Sequence, residues 1–259
     1  MSSFLKVRQL TKSFNGVPAI GDLSFDIDQG SVVGLVGPNG SGKSTTVDCL
    51  TRFQQADLGS WSLEDRELSK LDRYQIARAG LTRTFQAVQA YERLSVIENL
   101  LIACQEFEPV SSVNSIFQTA VLRRAERDIE DRAHQLLEIV GLTKLADVPA
   151  GFLSYGQRKL LAIAGSMISM PKITFLDEPA AGVNPTMVLR ITELLKKFNG
   201  QGVTLVVIDH NMDFIMQVCD RIIVLDLGRV IADGPPGVIQ TDPRVLEVYL
   251  GESGMDVAS

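Results

Sequence analysis

Gly37-Pro-Asn-Gly-Ser-Gly-Lys-Ser-Thr45 is the stretch that decides how this sequence folds. It fits the pattern G-x-x-x-x-G-K-[ST], in which glycines let backbone N–H groups approach phosphate oxygens with no Cβ in the way. An apolar run, Val32–Val36, precedes it, and a helical pattern begins near Lys43. Because a helix N-terminus attracts anions, this order of strand, loop and helix predicts a phosphate-binding loop rather than an ordinary glycine-rich turn.

The pattern also predicts what single side chains of the loop do. We expect Lys43 to reach the β and γ phosphates of a nucleotide, and the Ser44 hydroxyl to bind Mg²⁺. The remaining members contribute mainly backbone N–H groups. The predicted phosphate-binding residues are Gly37, Pro38, Asn39, Gly40, Ser41, Gly42, Lys43, Ser44 and Thr45.

The composition is that of an ordinary globular protein, with 45% hydrophobic and 22% charged residues among 259. The net charge of −6 argues against a nucleic-acid partner, which usually requires a basic surface. No apolar stretch approaches the roughly 20 residues of a membrane helix, and the N-terminus lacks the apolar core of a signal peptide. We therefore expect a cytoplasmic protein. Its three cysteines, Cys49, Cys104 and Cys219, are too scattered to predict a disulfide framework.

Apolar strand-like runs alternate with helical patterns along most of the chain, which predicts an α/β domain with a mostly parallel sheet. The predicted strands are Phe4–Leu10, Leu23–Ile27, Ser31–Val36, Gly59–Leu63, Ile173–Leu176, Val203–Ile208, Arg221–Leu225 and Arg229–Ala232. The predicted helices are Ser44–Phe53, Val96–Gln105, Ile116–Val140, Tyr155–Met170, Pro185–Phe198 and Met212–Val218.

The middle of the chain has helical patterns only, which predicts a helical subdomain inserted into the α/β core. The expected organisation is a first core part over 1–94, the helical subdomain over 95–170, a second core part over 171–250 and a loose tail over 251–259.

A second chemical motif follows the apolar strand Ile173–Leu176, where Asp177 and Glu178 stand side by side. Ligands of a parallel sheet bind beyond the carboxyl ends of its strands, so Asp177 can face the phosphate loop and hold Mg²⁺. Glu178 can then polarise the water that attacks the γ-phosphate. The alternative is a strand-end turn whose two acids are merely exposed.

Leu153-Ser-Tyr-Gly-Gln157 carries a family resemblance, because it resembles the signature motif of ABC ATPases. Tyr155 stands where that motif usually has a glycine. We expect Ser154 to cap the helix that follows it, so that this helix N-terminus can meet a γ-phosphate. The residues that the resemblance assigns to the signature are Ser154, Tyr155, Gly156 and Gln157.

Four further positions match ABC elements in the expected order. Gln86 matches the glutamine that senses Mg²⁺ and the γ-phosphate, and His210 matches the switch histidine, although it could instead cap a helix. Phe14 matches the aromatic residue that stacks on adenine, with a core or turn position as its alternative. Asn184 matches the D-loop position where Asp is commoner, and it keeps an acceptor but no charge.

The resemblance implies a fold, an activity and partners. It implies the P-loop NTPase core of ABC ATPases with an antiparallel β edge and an inserted helical subdomain, binding ATP and Mg²⁺. It implies a second ATP-binding subunit, identical or paralogous, whose site the signature completes. It further implies two membrane permease subunits, an indirectly attached solute-binding protein, and a peripheral position on the cytoplasmic face of the inner or plasma membrane.

Several stretches resemble branched-chain amino-acid importers in particular, among them Arg83–Gln86 and Pro179–Pro185, and urea importers are close to that group. Ile208–Asn211 and Val248–Glu252 equally resemble the ATPase of lipopolysaccharide export. A non-transport ABC ATPase acting on DNA or ribosomes is another alternative. Such proteins usually carry coiled-coil inserts, zinc cysteines or two ATPase units, and this sequence shows none of these features. A nucleotide-binding regulator without catalysis is a further alternative, which the presence of Glu178 argues against.

Overall fold

The computed structural model describes residues 3–84, 90–105 and 120–255. Two compact units make up the chain: the first combines Met1–Arg83 with Lys172–Ser259, and the second is Thr84–Pro171. The sequence places the corresponding boundaries after residues 94 and 170.

A six-stranded sheet forms the centre of the first unit, in the order β10-β9-β3-β8-β7-β6. All its pairs are parallel except β9 with β10, and β3, β7 and β8 are buried along their whole length. These apolar runs are covered on both faces, as the sequence predicts. The strands are β3 (Val32–Val36), β6 (Leu81–Arg83), β7 (Ile173–Asp177), β8 (Thr204–Ile208), β9 (Arg221–Asp226) and β10 (Arg229–Gly234).

A four-stranded antiparallel sheet in the order β2-β1-β4-β5 forms the predicted β edge. Its strands are β1 (Leu5–Phe14), β2 (Val17–Ile27), β4 (Leu58–Leu63) and β5 (Arg66–Glu67). The first hairpin is longer than predicted, because Asn15 and Gly16 both have positive φ (50° and 83°) and close a two-residue turn.

Helix α1 (Lys43–Leu50) contributes to the buried cluster that joins these sheets. The cluster takes Val47 and Leu50 from α1, Trp61 from β4 and Phe175 from β7. This packing holds the phosphate loop, which ends where α1 begins, between rigid elements. The other helices of the unit are α2 (Arg73–Arg78), α6 (Pro185–Gly200), α7 (Met212–Val218), α8 (Pro236–Ile239) and α9 (Pro243–Met255).

The second unit is helical in its described part, as predicted, with a single isolated bridge between Ser95 and Pro149. It contains α3 (Val96–Gln105), α4 (Ala120–Val140), α5 (Tyr155–Met167) and short 3₁₀ turns at Thr143–Leu145 and Ala150–Phe152. None of the helices in the described ranges is long and apolar enough to cross a membrane.

Several element ends differ from the prediction. The helix after the phosphate loop stops at Leu50 rather than Phe53, and Arg52 there has a φ of 59°. Helix α5 stops at Met167 rather than Met170, whose φ is 51°. Left-handed residues cannot continue a right-handed helix, which explains both early ends. In addition, α9 continues through Met255, past the start of the tail that the sequence predicts to be loose.

Candidate active site

The phosphate loop connects β3 to α1 and depends on three glycines with positive φ. A Cβ on Gly37 would collide with the carbonyl oxygen of Leu225, and a Cβ on Gly42 would lie 2.7 Å from that of Ala19. Gly40, with a φ of 79°, has nothing within 4 Å of its Cβ position. The loop is therefore packed against its own unit at both ends and open in the middle, as a cradle for a ligand requires.

Lys43 lies across this loop. Its ammonium donates hydrogen bonds to the carbonyl oxygens of Gly37 (2.7 Å) and Pro38 (2.8 Å). Helix α1 begins at Lys43, with left-handed Gly42 as its N-cap and no capping side chain. Ser44 is exposed and Thr45 partly exposed in the first turn. This end of α1 combines a fixed cation with helix N–H groups, which suits a phosphate.

Cys49 lies on the buried face of the same helix and is fully inaccessible. Burial raises the pKa of its thiol to about 11, so the thiol is protonated at neutral pH. It belongs to the core of its unit.

Asp177 ends β7 as a buried carboxylate, 8% exposed, which contradicts the exposed-turn alternative. The guanidinium of Arg83, at the end of β6, lies 3.5 Å from one Asp177 oxygen. The same guanidinium also forms an ion pair with Asp48 on α1. Arg83 thus links the strand that carries Asp177 to the helix that follows the phosphate loop.

Glu178 follows directly and adopts a left-handed conformation with a φ of 47°. Its backbone N–H donates to the carbonyl oxygen of Ile208 at the end of β8 (2.7 Å). His210, two residues beyond that strand, has its Nδ1 3.5 Å from Oε1 of Glu178, and its side chain is 68% exposed. Asn211, and not His210, caps α7, which excludes the capping alternative for the histidine.

Phe14 ends β1 and is 41% exposed as a residue. The ammonium of Lys12 lies 5.3 Å from the ring centroid and also donates to Asp57 (2.8 Å), which accepts the N–H of Ser13 as well. These two hydrogen bonds, that from Lys12 first, hold the pKa of Asp57 below its usual range. The ring is therefore supported by neighbours and still accessible to a stacking partner, so the core alternative does not hold.

The signature stretch begins α5 in the helical unit. The Ser154 hydroxyl accepts the N–H of Gln157 (3.3 Å), and the Gln157 side chain accepts the N–H of Ser154 (2.9 Å). The predicted cap is confirmed, with a reciprocal partner that the prediction did not include. Tyr155 is 42% exposed beside Gly156, so this helix end presents side chains to solvent.

The remaining predicted positions have different outcomes. Asn184 caps α6 by accepting the N–H of Met187 (2.9 Å), so its acceptor already has a structural use. Gln86 lies outside the described residues.

Sequence reasoning missed two buried charges at this edge of the sheet. Arg83 and Asp209 occur in stretches that resemble particular transporter subgroups, but no sequence pattern assigns either residue a role. Burial raises the pKa of Asp209, while hydrogen bonds from the N–H groups of Asn211 and Ala180 oppose that shift. Nothing in a local pattern shows that such a residue is buried.

Comparison with known families decides the class of this site. Residues 20–181 match the family described as ABC transporter, and residues 229–254 match one described as branched-chain amino acid ATP-binding cassette transporter. The chain belongs to the ABC transporter family. It is an ATP-hydrolysing transporter subunit, and the predicted fold, a P-loop NTPase core of ABC type, is confirmed.

Individual relatives align with this ABC ATPase over nearly their whole length. It is 38% identical to the high-affinity branched-chain amino acid transport ATP-binding protein BraF of Pseudomonas aeruginosa, over 96% of this chain and 98% of the relative. LivG of Escherichia coli, of the same description, shows the same identity and coverage. A solved ATP-binding cassette of an ABC transporter, in its ADP conformation, is 31% identical with a TM-score of 0.85, covering 97% of this chain and all of that one.

Proposed function

We propose that this ABC ATPase energises the uptake of branched-chain or other neutral amino acids through partner permeases. The observation that carries the proposal is the 38% identity, over almost the full chain, to ATP-binding proteins of branched-chain amino acid transport. The match of residues 229–254 to a branched-chain amino acid cassette family supports it independently. The proposal therefore does not include urea uptake or lipopolysaccharide export, the two alternative transport functions that the sequence leaves open.

In the proposed site, adenine stacks on the accessible face of Phe14, and the phosphates lie over the loop from Gly37 to Thr45. The open position at Gly40 leaves room for them, while Lys43 and the first turn of α1 supply positive charge.

Mg²⁺ fits the donors that this site offers. Ser44 provides a hydroxyl and Asp177 a carboxylate, and Gln86 is the third expected contributor; all are oxygen donors, which Mg²⁺ prefers. No cluster of three or more His, Cys, Asp or Glu side chains occurs in the described residues. That agrees with a Mg²⁺ held chiefly by nucleotide oxygens and water. When bound, the ion neutralises charge on the β and γ phosphates.

Hydrolysis is assigned to Glu178 and His210. Glu178 accepts a proton from the attacking water, and His210 donates a hydrogen bond to the γ-phosphate as charge develops on it. Their 3.5 Å separation lets both reach one water-sized region beyond β7 and β8. Gln86 is proposed as the sensor of the γ-phosphate.

A complete site in this proposal needs two subunits. The exposed N-terminus of α5, with Ser154 and Tyr155, is suited to binding the γ-phosphate held by a partner ATP-binding subunit. Asn184 would take part at the same interface through backbone geometry, since its side chain already caps α6. The partner subunit is an identical chain or a paralogue.

Permease subunits are proposed to dock on the helical unit near Tyr91, a residue that is 56% exposed. Asn99 fixes the backbone there by accepting the N–H of Tyr91 (2.8 Å) and donating to its carbonyl oxygen (3.2 Å). A neighbouring segment of the same unit presents Phe152, which is 82% exposed. The two segments are joined by the N–H of Gly151, which donates to the backbone carbonyl oxygen of Glu92 (3.0 Å). Two exposed aromatic residues on a fixed backbone suit a short amphipathic helix. Docking there would hold the chain at the cytoplasmic face of the membrane, with a solute-binding protein on the opposite side.

Uptake in a strain that lacks this chain tests the proposal. Loss of leucine, isoleucine and valine uptake, restored by the wild-type chain but not by Glu178→Gln, is the expected result. Normal uptake of every amino acid tested, together with a urea-uptake or envelope defect, would contradict the amino-acid assignment and leave the ATPase activity unaffected.

A further inference from the structure

Asp209 is a buried carboxylate that bonds to two catalytic loops at once. It directly follows β8 and is 1% exposed. One of its oxygens accepts the backbone N–H of Asn211 (2.9 Å), and the other accepts the backbone N–H of Ala180 (3.2 Å). Asn211 belongs to the loop that carries His210, and Ala180 belongs to the loop that carries Glu178.

A charge in this position is unfavourable for the fold itself. Burial of an ionised carboxylate carries a desolvation cost, and two neutral N–H donors compensate only part of it. The neighbouring His210 has its Nδ1 3.8 Å from an Asp209 oxygen, and its side chain is largely exposed. The contacts of Asp209 therefore suggest a role in geometry at the site rather than in stability alone.

The geometry that needs support is that of Glu178. Its left-handed backbone is a strained conformation for a residue with a side chain, and such a conformation persists only where the surrounding structure enforces it. Two bonds between the loops do so: Glu178 N–H to the carbonyl oxygen of Ile208, and Ala180 N–H to the carboxylate of Asp209. The Ala180 bond lies two residues beyond Glu178, so the turn is held on both sides.

We propose that Asp209 is a positioning residue for ATP hydrolysis, which ties the loop of Glu178 to the loop of His210 and keeps the two side chains facing one water. The proposal rests on the roles that the proposed function gives those two residues. It predicts an effect on turnover and not on nucleotide binding, because neither oxygen of Asp209 is directed to the phosphate loop in the hydrogen bonds it makes.

The test compares Asp209→Asn with a control variant at an exposed aspartate, in the full chain assembled with its transporter. Asparagine keeps one acceptor and turns an amide N–H toward the other N–H group, so one of the two loops is released. Asp220→Asn is the control, since Asp220 also accepts a backbone N–H, that of Val32 (3.0 Å), but at the opposite end of the strands. The measurements are kcat, KM for ATP and the midpoint of thermal unfolding.

For Asp209→Asn we expect kcat to fall by about 10- to 100-fold, the scale on which misplaced catalytic groups lose rate, with KM changed less than about threefold. Asp220→Asn should lower the unfolding midpoint and leave kcat within about twofold. In a His210→Ala background, Asp209→Asn should add little, because residues that act as one unit are not additive.

The proposal is overturned if Asp209→Asn turns over ATP at the wild-type rate, or if its loss of rate is the same with and without His210. It is also overturned if the fall in kcat matches that of Asp220→Asn at an equal loss of unfolding temperature. Should Asp209→Asn not fold, Asp209→Glu takes its place: it keeps both oxygens but displaces them, and a wild-type kcat there also overturns the proposal. Glu178→Gln, measured in parallel, distinguishes failure of the proposed function from failure of the positioning role. Full turnover in Glu178→Gln contradicts the proposed function. An inactive Glu178→Gln together with normal turnover in Asp209→Asn contradicts only the positioning role.

Discussion

The ammonium nitrogen of Lys43 lies 2.7 Å from the carbonyl oxygen of Gly37, the residue that begins the phosphate loop. A second bond to Pro38, at 2.8 Å, holds the same group. These two bonds fix the charge of Lys43 over the phosphate loop. Because the side chain is already held in place, it loses little conformational freedom when a phosphate binds. The loop and its cation form one preorganised unit.

Lys43→Ala should weaken ATP binding itself. Removal of one charge-assisted hydrogen bond to phosphate costs about 1.5–3 kcal/mol, which corresponds to roughly a 10- to 150-fold rise in Kd. Equilibrium binding of ATP to the full chain measures it. Lys196→Ala, at an exposed position on α6, is the control and should leave Kd unchanged. An unaltered Kd for Lys43→Ala would remove the lysine from the phosphate site.

Gly37→Ala and Gly40→Ala should differ sharply in stability. Both positions have positive φ, but only the Cβ of Gly37 would collide with backbone, at the carbonyl of Leu225. We expect Gly40→Ala to cost about 1 kcal/mol from strain alone. Gly37→Ala should cost more than about 3 kcal/mol, because the backbone of β9 at Leu225 must shift to admit the Cβ. Denaturant unfolding of the two variants measures the difference. Equal stabilities would show that the loop packs differently from the structure described.

Glu178→Gln should bind ATP normally and lose most of its turnover. A positioned general base contributes about 10²–10⁴-fold to the rate, or about 3–5 kcal/mol of barrier. Steady-state ATPase activity of the assembled transporter, with ATP binding measured on the same sample, checks both halves. Near-full activity would mean that another group takes the proton from water.

Mixed dimers test whether one site is shared between two chains. Ser154→Arg blocks the signature and Lys43→Ala blocks the phosphate loop, so each variant alone has no complete site. In a one-to-one mixture about half of the dimers are mixed, and each mixed dimer has one of its two sites intact. If the sites act independently, the mixture should therefore recover about a quarter of the wild-type ATPase rate.

No gain in the mixture over either variant alone would contradict a shared site between identical chains. In that case the same pair of substitutions, placed on the two members of a paralogous heterodimer, distinguishes a different partner from a self-contained site.

Tyr91→Glu should uncouple transport from ATP hydrolysis. A charge introduced at this exposed position leaves the fold intact, but burying it in an interface carries a desolvation cost. We therefore expect amino-acid uptake to fall by about tenfold or more. The ATPase rate of the isolated chain should not change. Leu58→Glu, at a residue that is 68% exposed on β4, is the matched control for a new surface charge. Normal uptake with Tyr91→Glu would place the permease contact elsewhere.

Local patterns determined much of this protein. The phosphate loop, the buried strands on either side of the site and the cap at Ser154 each depend on residues within about ten positions of one another. Spacing and side-chain type are enough there, because the turn, the strand and the helix start obey short-range rules. The resemblance to ABC ATPases rested on the same short motifs.

Tertiary structure alone decided how the motifs support one another. Asp209 reaches Ala180, and Arg83 reaches both Asp48 and Asp177, across distances in sequence that no periodicity records. The parallel pairing of β7 with β8 places their carboxyl ends side by side, and burial there turns two ordinary charged residues into fixed links. A buried charge is defined by what surrounds it, and its surroundings come from strands far apart in the chain. That is the physical reason why the sequence predicts Glu178 and His210 as candidate catalytic groups but not the contacts that hold them in place.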